Sequence, residues 1–191
     1  MKLKKLTLIL IFLILVNCVG KAKVNDPTEE ALVYLNSLYP NSKPLTKEEL
    51  NLVKEFYLTG TPIMDDKLKY LLIFPNLNDL RFTHTRITDE GLATLKDNKI
   101  WSLDVDATLI TNKSIKILKD WKHLKHLNIS YTKINRDAIP DLLKLDLQSI
   151  DAAGLNFSES DIKKLREKFS VDTEEYEIQC PGETSSKCPE F

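Results

Sequence analysis

Few residues in this chain are equipped for chemistry. Its 191 residues include three cysteines, three histidines and 28 acidic side chains. The sharpest candidate pair is His126 with Asp104, since a histidine beside a carboxylate can act as a general base or hold a metal. A simpler arrangement competes with it, in which Asp104 meets Arg81 in a surface ion pair worth only about 0–1 kcal/mol. The chain has no Gly-rich phosphate loop, no nucleophile elbow and no Cys/His set at metal-ligand spacing. His123 sits just ahead of an apolar run and reads as loop. We therefore expect no catalytic residue, no metal site and no cofactor.

Cys18 has a different kind of chemistry in view. It follows Met1-Lys2-Leu3-Lys4-Lys5 and an apolar run, Leu6 to Val16, of 11 residues. A positive start before a run this short is a secretory pattern, because crossing a bilayer takes roughly 20 apolar residues. The run ends Leu15-Val16-Asn17-Cys18, which resembles the lipobox of bacterial lipoproteins, in the looser form found in spirochaetes. The resemblance implies cleavage before Cys18 and a lipid on its sulfur, so 1–17 is signal peptide and 18–25 a lipidated tether. Palmitate is the expected acyl group, and the membrane is then a partner through that lipid. An ordinary signal peptide cleaved after Ala22 is the alternative, with Lys21 between the small residues making a poor site. Val19 is not the Asp that retains lipoproteins at the inner membrane of enteric bacteria, which favours the outer membrane.

Export also bears on the remaining cysteines. Cys180 and Cys188 are an even pair in a short Pro- and Gly-bearing tail, read as a disulfide in an oxidising envelope. Two unpaired thiols are the other reading. Removing 1–17 leaves 24 basic against 28 acidic residues, a net charge of −4. That balance argues against a nucleic-acid partner, which needs a concentrated basic surface.

What must position any site is a repeat. Leu77-x-x-Leu80-x-Phe82-x-x-Thr85-x-Ile87 aligns with Ile100, Leu103, Val105, Thr108 and Ile110, then with Leu124, Leu127, Ile129, Thr132 and Ile134. Backwards the frame takes Val53, Phe56, Leu58, Thr61 and Ile63, and forwards Leu147, Ile150, Ala152, Leu155 and Phe157. The units start 24, 23, 24 and 23 residues apart. Each starts with strand-like alternation and switches to helical spacing, as in Leu92 and Leu95. Thr88, Thr111, Asn135 and Ser158 stand at the switch as helix caps, with Asp65 standing in where Met64 breaks the column. Pro140 fits the fourth helix if Asp137 caps it, placing the proline in the first turn.

The pattern resembles the leucine-rich-repeat family, and Ile87-Thr88-Asp89-Glu90-Gly91-Leu92 resembles the Ile-Thr-Asp-x-Gly-Leu signature of its helix-backed subtype. The implied fold is an α/β solenoid, with a parallel sheet on the concave side and helices on the convex side. About five repeats occupy 53–168. A helical N-terminal cap spans 26–52, with Asp26 and Thr46 starting helices. A C-terminal cap spans 169–191, with a final strand in Val171 to Ile178. The Thr column is expected to serve the turn after each strand.

This geometry turns the residues between the apolar strand positions toward solvent. Tyr57, Arg81, Thr83, Asp104, Asp106, His126, Asn128 and Ser130 are the candidate binding residues, with Tyr131 at a strand exit. Tyr and Arg are common interface anchors, so the face suits a protein partner. The expected function is non-catalytic protein binding on the envelope, including adhesion to host proteins. A periplasm-facing scaffold for an envelope assembly is the alternative. The lysines at 113, 116, 119, 122 and 125 read as a solvated helix face.

Overall fold

The computed structural model describes residues 26–95 and 99–175. The signal segment, Cys18 and its tether, and Cys180 and Cys188 lie outside the described residues. Six strands of three residues each make one parallel sheet in sequence order. They are β1 Glu55–Tyr57, β2 Asp79–Arg81, β3 Ser102–Asp104, β4 His126–Asn128, β5 Ser149–Asp151 and β6 Ser170–Asp172. The central residues Phe56, Leu80, Leu103, Leu127, Ile150 and Val171 are level across the sheet. Each strand's middle side chain points into the core and its neighbours point out, as a period of two requires. This is the leucine-rich-repeat solenoid expected from the alignment, with β6 added beyond the fifth repeat.

The helical side is more irregular. After α1 (Pro27–Ser37), the segments Lys47–Leu52 and Asp65–Ile73 are 3-10 helices, followed by α2 (Asp89–Ala93) and α3 (Asn112–Leu118). The fourth repeat starts as a 3-10 turn, Arg136–Ala138, and becomes α4 (Ile139–Leu142), while α5 covers Glu159–Arg166. Asn135 caps that segment through the Asp137 N–H at 3.0 Å, so Asp137 is not the cap. Pro140 is tolerated because the change of helix type at Ile139 puts it in the first turn of α4, where its missing N–H is not needed.

Leu58, Phe82, Val105, Ile129 and Ala152 are buried in one column, and Leu71, Leu95, Leu118, Leu142 and Leu165 in another. Each fully buried side chain of leucine or phenylalanine size is worth about 1.5–3 kcal/mol, but only when a neighbouring repeat supplies the other wall. In α1, Asp26 accepts from the Thr28 N–H at 2.9 Å, and Ala31, Leu32 and Leu35 are buried against the first repeat. The Tyr39 hydroxyl donates to the Tyr57 carbonyl, tying this cap to the edge strand β1. That bond occupies one carbonyl of an edge whose open groups could otherwise pair with another chain.

The links between repeats are polar as well as apolar. Thr88, Thr111, Asn135 and Ser158 cap their own helices. Asp65 does not cap the Asp65–Ile73 segment; its carboxylate accepts from the Thr88 N–H at 2.9 Å and the Thr88 hydroxyl at 2.6 Å, one repeat on. Asp89 does the same for Thr111, at 2.9 and 2.7 Å, and also accepts from the N–H and hydroxyl of Ser114. Asn112 continues the series with Asn135, accepting its N–H at 3.0 Å and donating to its side-chain oxygen at 2.9 Å. The first helical residue of each of these repeats thus closes the cap of the next. Gly91 is part of the fit: a Cβ there would stand 2.3 Å from an Asp65 carboxylate oxygen.

Burial pushes the Asp89 carboxyl up, but its hydrogen bonds from Ser114 and Thr111 outweigh that and hold it below the usual aspartate value. A depressed carboxyl stabilises the fold above its unfolded pKa, and that stability disappears as pH falls through the folded pKa. Asp89→Ala orphans buried donors and should cost about 2–4 kcal/mol in urea unfolding at neutral pH, with the loss shrinking in acid. A change under about 0.5 kcal/mol, the size expected of an exposed surface site, would contradict the ladder.

Candidate functional site

Two rows of side chains stand outward from the sheet. One runs Glu55, Asp79, Ser102, His126, Ser149, Ser170, and the other Tyr57, Arg81, Asp104, Asn128, Asp151, Asp172. Pairing continues past the strands: the N–H groups of Gly60, His84, Ala107 and Tyr131 bond to Thr83, Asp106, Ser130 and Ala153 at 2.9–3.1 Å. Those four residues and Gly154 all have positive φ, between 49° and 65°, and occupy one column of the repeat. The left-handed turn ends the strand and swings the chain toward the helical side. Three of the five are not glycine, so the turn is held by its neighbours at a cost of roughly 1–3 kcal/mol each.

Three threonines serve this turn as expected. Thr61, Thr108 and Thr132 donate their hydroxyls to the carbonyls of Leu58, Val105 and Ile129 at 2.7–2.8 Å. The Thr85 hydroxyl is buried without a partner among the described residues, and the structure offers no reason for that exception.

The turn also removes two residues from the candidate face. Asp106 and Ser130 were expected to meet solvent but are 2% and 0% exposed. They lie past the last strand pair, where the chain enters the left-handed turn, and the Ser130 hydroxyl accepts from the Ala153 N–H of the following repeat at 3.1 Å. Thr83 and Tyr131 are half-buried. Tyr131 packs over Gly154, whose Cβ, were there one, would fall 2.4 Å from its ring. Tyr57, Arg81, Asp104, His126 and Asn128 remain on the face.

Arg81 is spoken for, though not by Asp104. Its guanidinium bonds to Asp79 on its own strand at 3.3 Å and lies 4.5 Å from the centre of the Tyr57 ring. A cation over an aromatic face is worth about 0.5–1 kcal/mol at an exposed site. His126 does not pair with Asp104 either. Its Nδ1 is 2.7 Å from the Ser149 hydroxyl, its ring lies against Trp101 at 4.1 Å, and Nε2 is shielded with no partner among the described residues. Asp104 stands opposite Asn128 rather than His126, so these two do not form an acid–base dyad. Among the described residues no cluster of three or more His, Cys, Asp or Glu could hold a metal ion.

Asp104 has a structural task in addition to its charge. Its carboxylate accepts from the Asp106 N–H at 2.9 Å, as Asn128 does from Ser130 at 3.0 Å and Asp172 from Glu174 at 2.9 Å. Burial pushes the Asp104 carboxyl up, against the pull of that bond, the Thr83 hydroxyl, the Arg81 charge and the Asn128 amide. Asp151 is pushed up by burial and then by the charges of Asp172 and Asp104.

One face residue was not singled out in the sequence. Trp101, just ahead of β3, is 47% exposed beside His126. Its column also holds Lys54, Asn78, Lys125 and Gln148, so an aromatic among polar residues was the available signal. Lys125, counted above with the helix lysines, instead stands just ahead of β4 and pairs with Asp146.

No family model matches the chain, and no curated protein matches it. Solved structures similar to it include an internalin (inlF) from Listeria monocytogenes, at 18% identity and TM-score 0.49, covering 74% of this chain. The match spans 47% of that internalin, about half its length. An internalin C2 (inlC2) from the same organism is 20% identical with TM-score 0.43, covering 75% of this chain and 74% of its own. Leiomodin-1 actin-binding site 2 is 17% identical with TM-score 0.45, covering 73% of this chain and 92% of its own.

Asn128 shows that an amide can do the structural work of Asp104 without its charge. A carboxyl raised in the folded state stabilises the fold below its unfolded pKa, and that contribution is lost as pH rises through the folded value. Asp104→Asn should therefore raise the thermal midpoint at neutral pH, with the gain vanishing below the ordinary carboxylate range. A lower midpoint at neutral pH would show that the charge itself holds the turn.

Proposed function

We propose that this protein is a non-catalytic binding protein, exported and held to the envelope by lipid on Cys18, that engages a protein partner on the sheet face. The observation that carries the binding role is the outward row of Tyr57, Arg81, Asp104 and Asn128, level across four strands, with Trp101 exposed beside it. Short strands locked in register hold the backbone of such a row rigid, so little backbone freedom is lost when a partner docks. Aromatic and arginine side chains set among small polar ones are the usual composition of a binding centre.

The anchoring rests on the sequence around Cys18 and on its position ahead of the first capped helix, α1. Outer-membrane display and adhesion to host proteins belong to the same proposal. No helix among the described residues is long and apolar enough to cross a membrane. A lipid would then hold the solenoid at the surface, and stable attachment takes more than one acyl chain.

Two measurements check this. Cells fed labelled palmitate should label the natural chain and not Cys18→Ala, and the variant should leave the membrane fraction. Equal labelling would refute the anchor. External protease on intact cells should digest the solenoid; protection until the outer membrane is opened would replace surface display with the periplasmic scaffold.

A further inference from the structure

The part of the sheet face from β3 to β6 differs in charge from the part over β1 and β2. At the first end Asp79 is neutralised by Arg81, and Glu55 accepts from the Tyr57 hydroxyl. At the other end Asp104, Asp151 and Asp172 occupy one row, and among the described residues no Lys or Arg forms an ion pair with any of them. Elsewhere carboxylates do find cations, as Asp141 finds Lys144 and Asp161 finds Arg136. One end of a rigid face thus carries three carboxylates with no ion-pair partner among the described residues.

We propose that this end takes a Lys/Arg-rich segment of a protein partner, its cations set against Asp104, Asp151 and Asp172 and its apolar side against Trp101. The proposal rests on the sheet-face reading above and names its partner's chemistry. Neighbouring strands lie about 4.8 Å apart, which puts Asp151 and Asp172 at that spacing and Asp104 roughly 10 Å from Asp151. A segment in the polyproline II conformation turns once every three residues and rises about 3.1 Å per residue, so basic side chains three residues apart face the same way and match the wider gap. Asn128 fills that gap with the same turn-holding bond as Asp104 and no charge. Trp101 and His126, packed together at the leading edge of β3 and β4, give an apolar flank beside the row. A cation brought to the face also offsets the burial that raises Asp104 and Asp151, and the charges of Asp172 and Asp104 that raise Asp151 further. An acidic partner would add to that repulsion, and nucleic acid is disfavoured for the same reason.

The test uses the purified chain and three labelled peptides of equal length, one rich in Lys and Arg, one neutral and one acidic, each with the same apolar residues. Fluorescence anisotropy near physiological salt should show the basic peptide binding best. The variant Asp104→Asn, Asp151→Asn, Asp172→Asn should weaken it about tenfold or more, as expected for lost close charge pairs. A variant of equal charge change away from the face, Asp66→Asn, Asp120→Asn, Glu167→Gln, should bind as the natural chain does. Thermal melts of both variants guard against unfolding. Equal loss in the two variants means bulk attraction only and overturns the proposal. A preference for the neutral or acidic peptide that Tyr57→Ala with Trp101→Ala abolishes overturns the basic partner but keeps the face. Binding indifferent to every face variant overturns both.

Discussion

The structure depends on one constraint: no repeat can bury its own apolar face, so each must be joined to the next at fixed offset and height. Apolar packing supplies most of the stabilisation, but it tolerates sliding. The carboxylates of Asp65 and Asp89 and the amide of Asn112 do not. Each reaches from the first helical residue of its repeat to the backbone N–H of the cap one repeat later. A shift of one residue between repeats would orphan these donors as well as turn the strand residues over, and buried orphans are expensive.

That coupling sets the geometry of the sheet face. With the helix starts held level, the six central strand residues are level too. The left-handed column from Gly60 to Gly154 then ends β1 to β5 at the same height. The result is a short, stiff sheet with two straight rows of polar side chains. Charge along the second row is uneven because Arg81 turns back to Asp79 and Tyr57, leaving Asp104 and Asp151 with carboxyls raised by burial.

The solenoid was legible because its apolar columns recur every 23 or 24 residues, and a period is robust to the loss of single members. The outward row was legible for the same reason, since alternation assigns faces without knowledge of contacts. What the sequence concealed was local and came from neighbouring repeats. Asp65 looked like a cap because it follows Met64, whereas its partner lies 23 residues on. Asp106 and Ser130 looked exposed by alternation, but alternation stops at the left-handed turn. That turn was detectable in principle, as Gly60 and Gly154 share its column with His84, Ala107 and Tyr131. Helix type was not legible, because spacings of three and four suit 3-10 and α turns nearly equally well.

The central claim is that the sheet face, not the helical side, meets the partner. It is tested most directly by a photoreactive phenylalanine placed in living cells at Asn128, mid-row on the face, and separately at exposed Lys116 on α3. The account predicts a discrete cross-linked protein from position 128 and none from position 116. A cross-link from position 116 alone would place recognition on the helices and contradict the account.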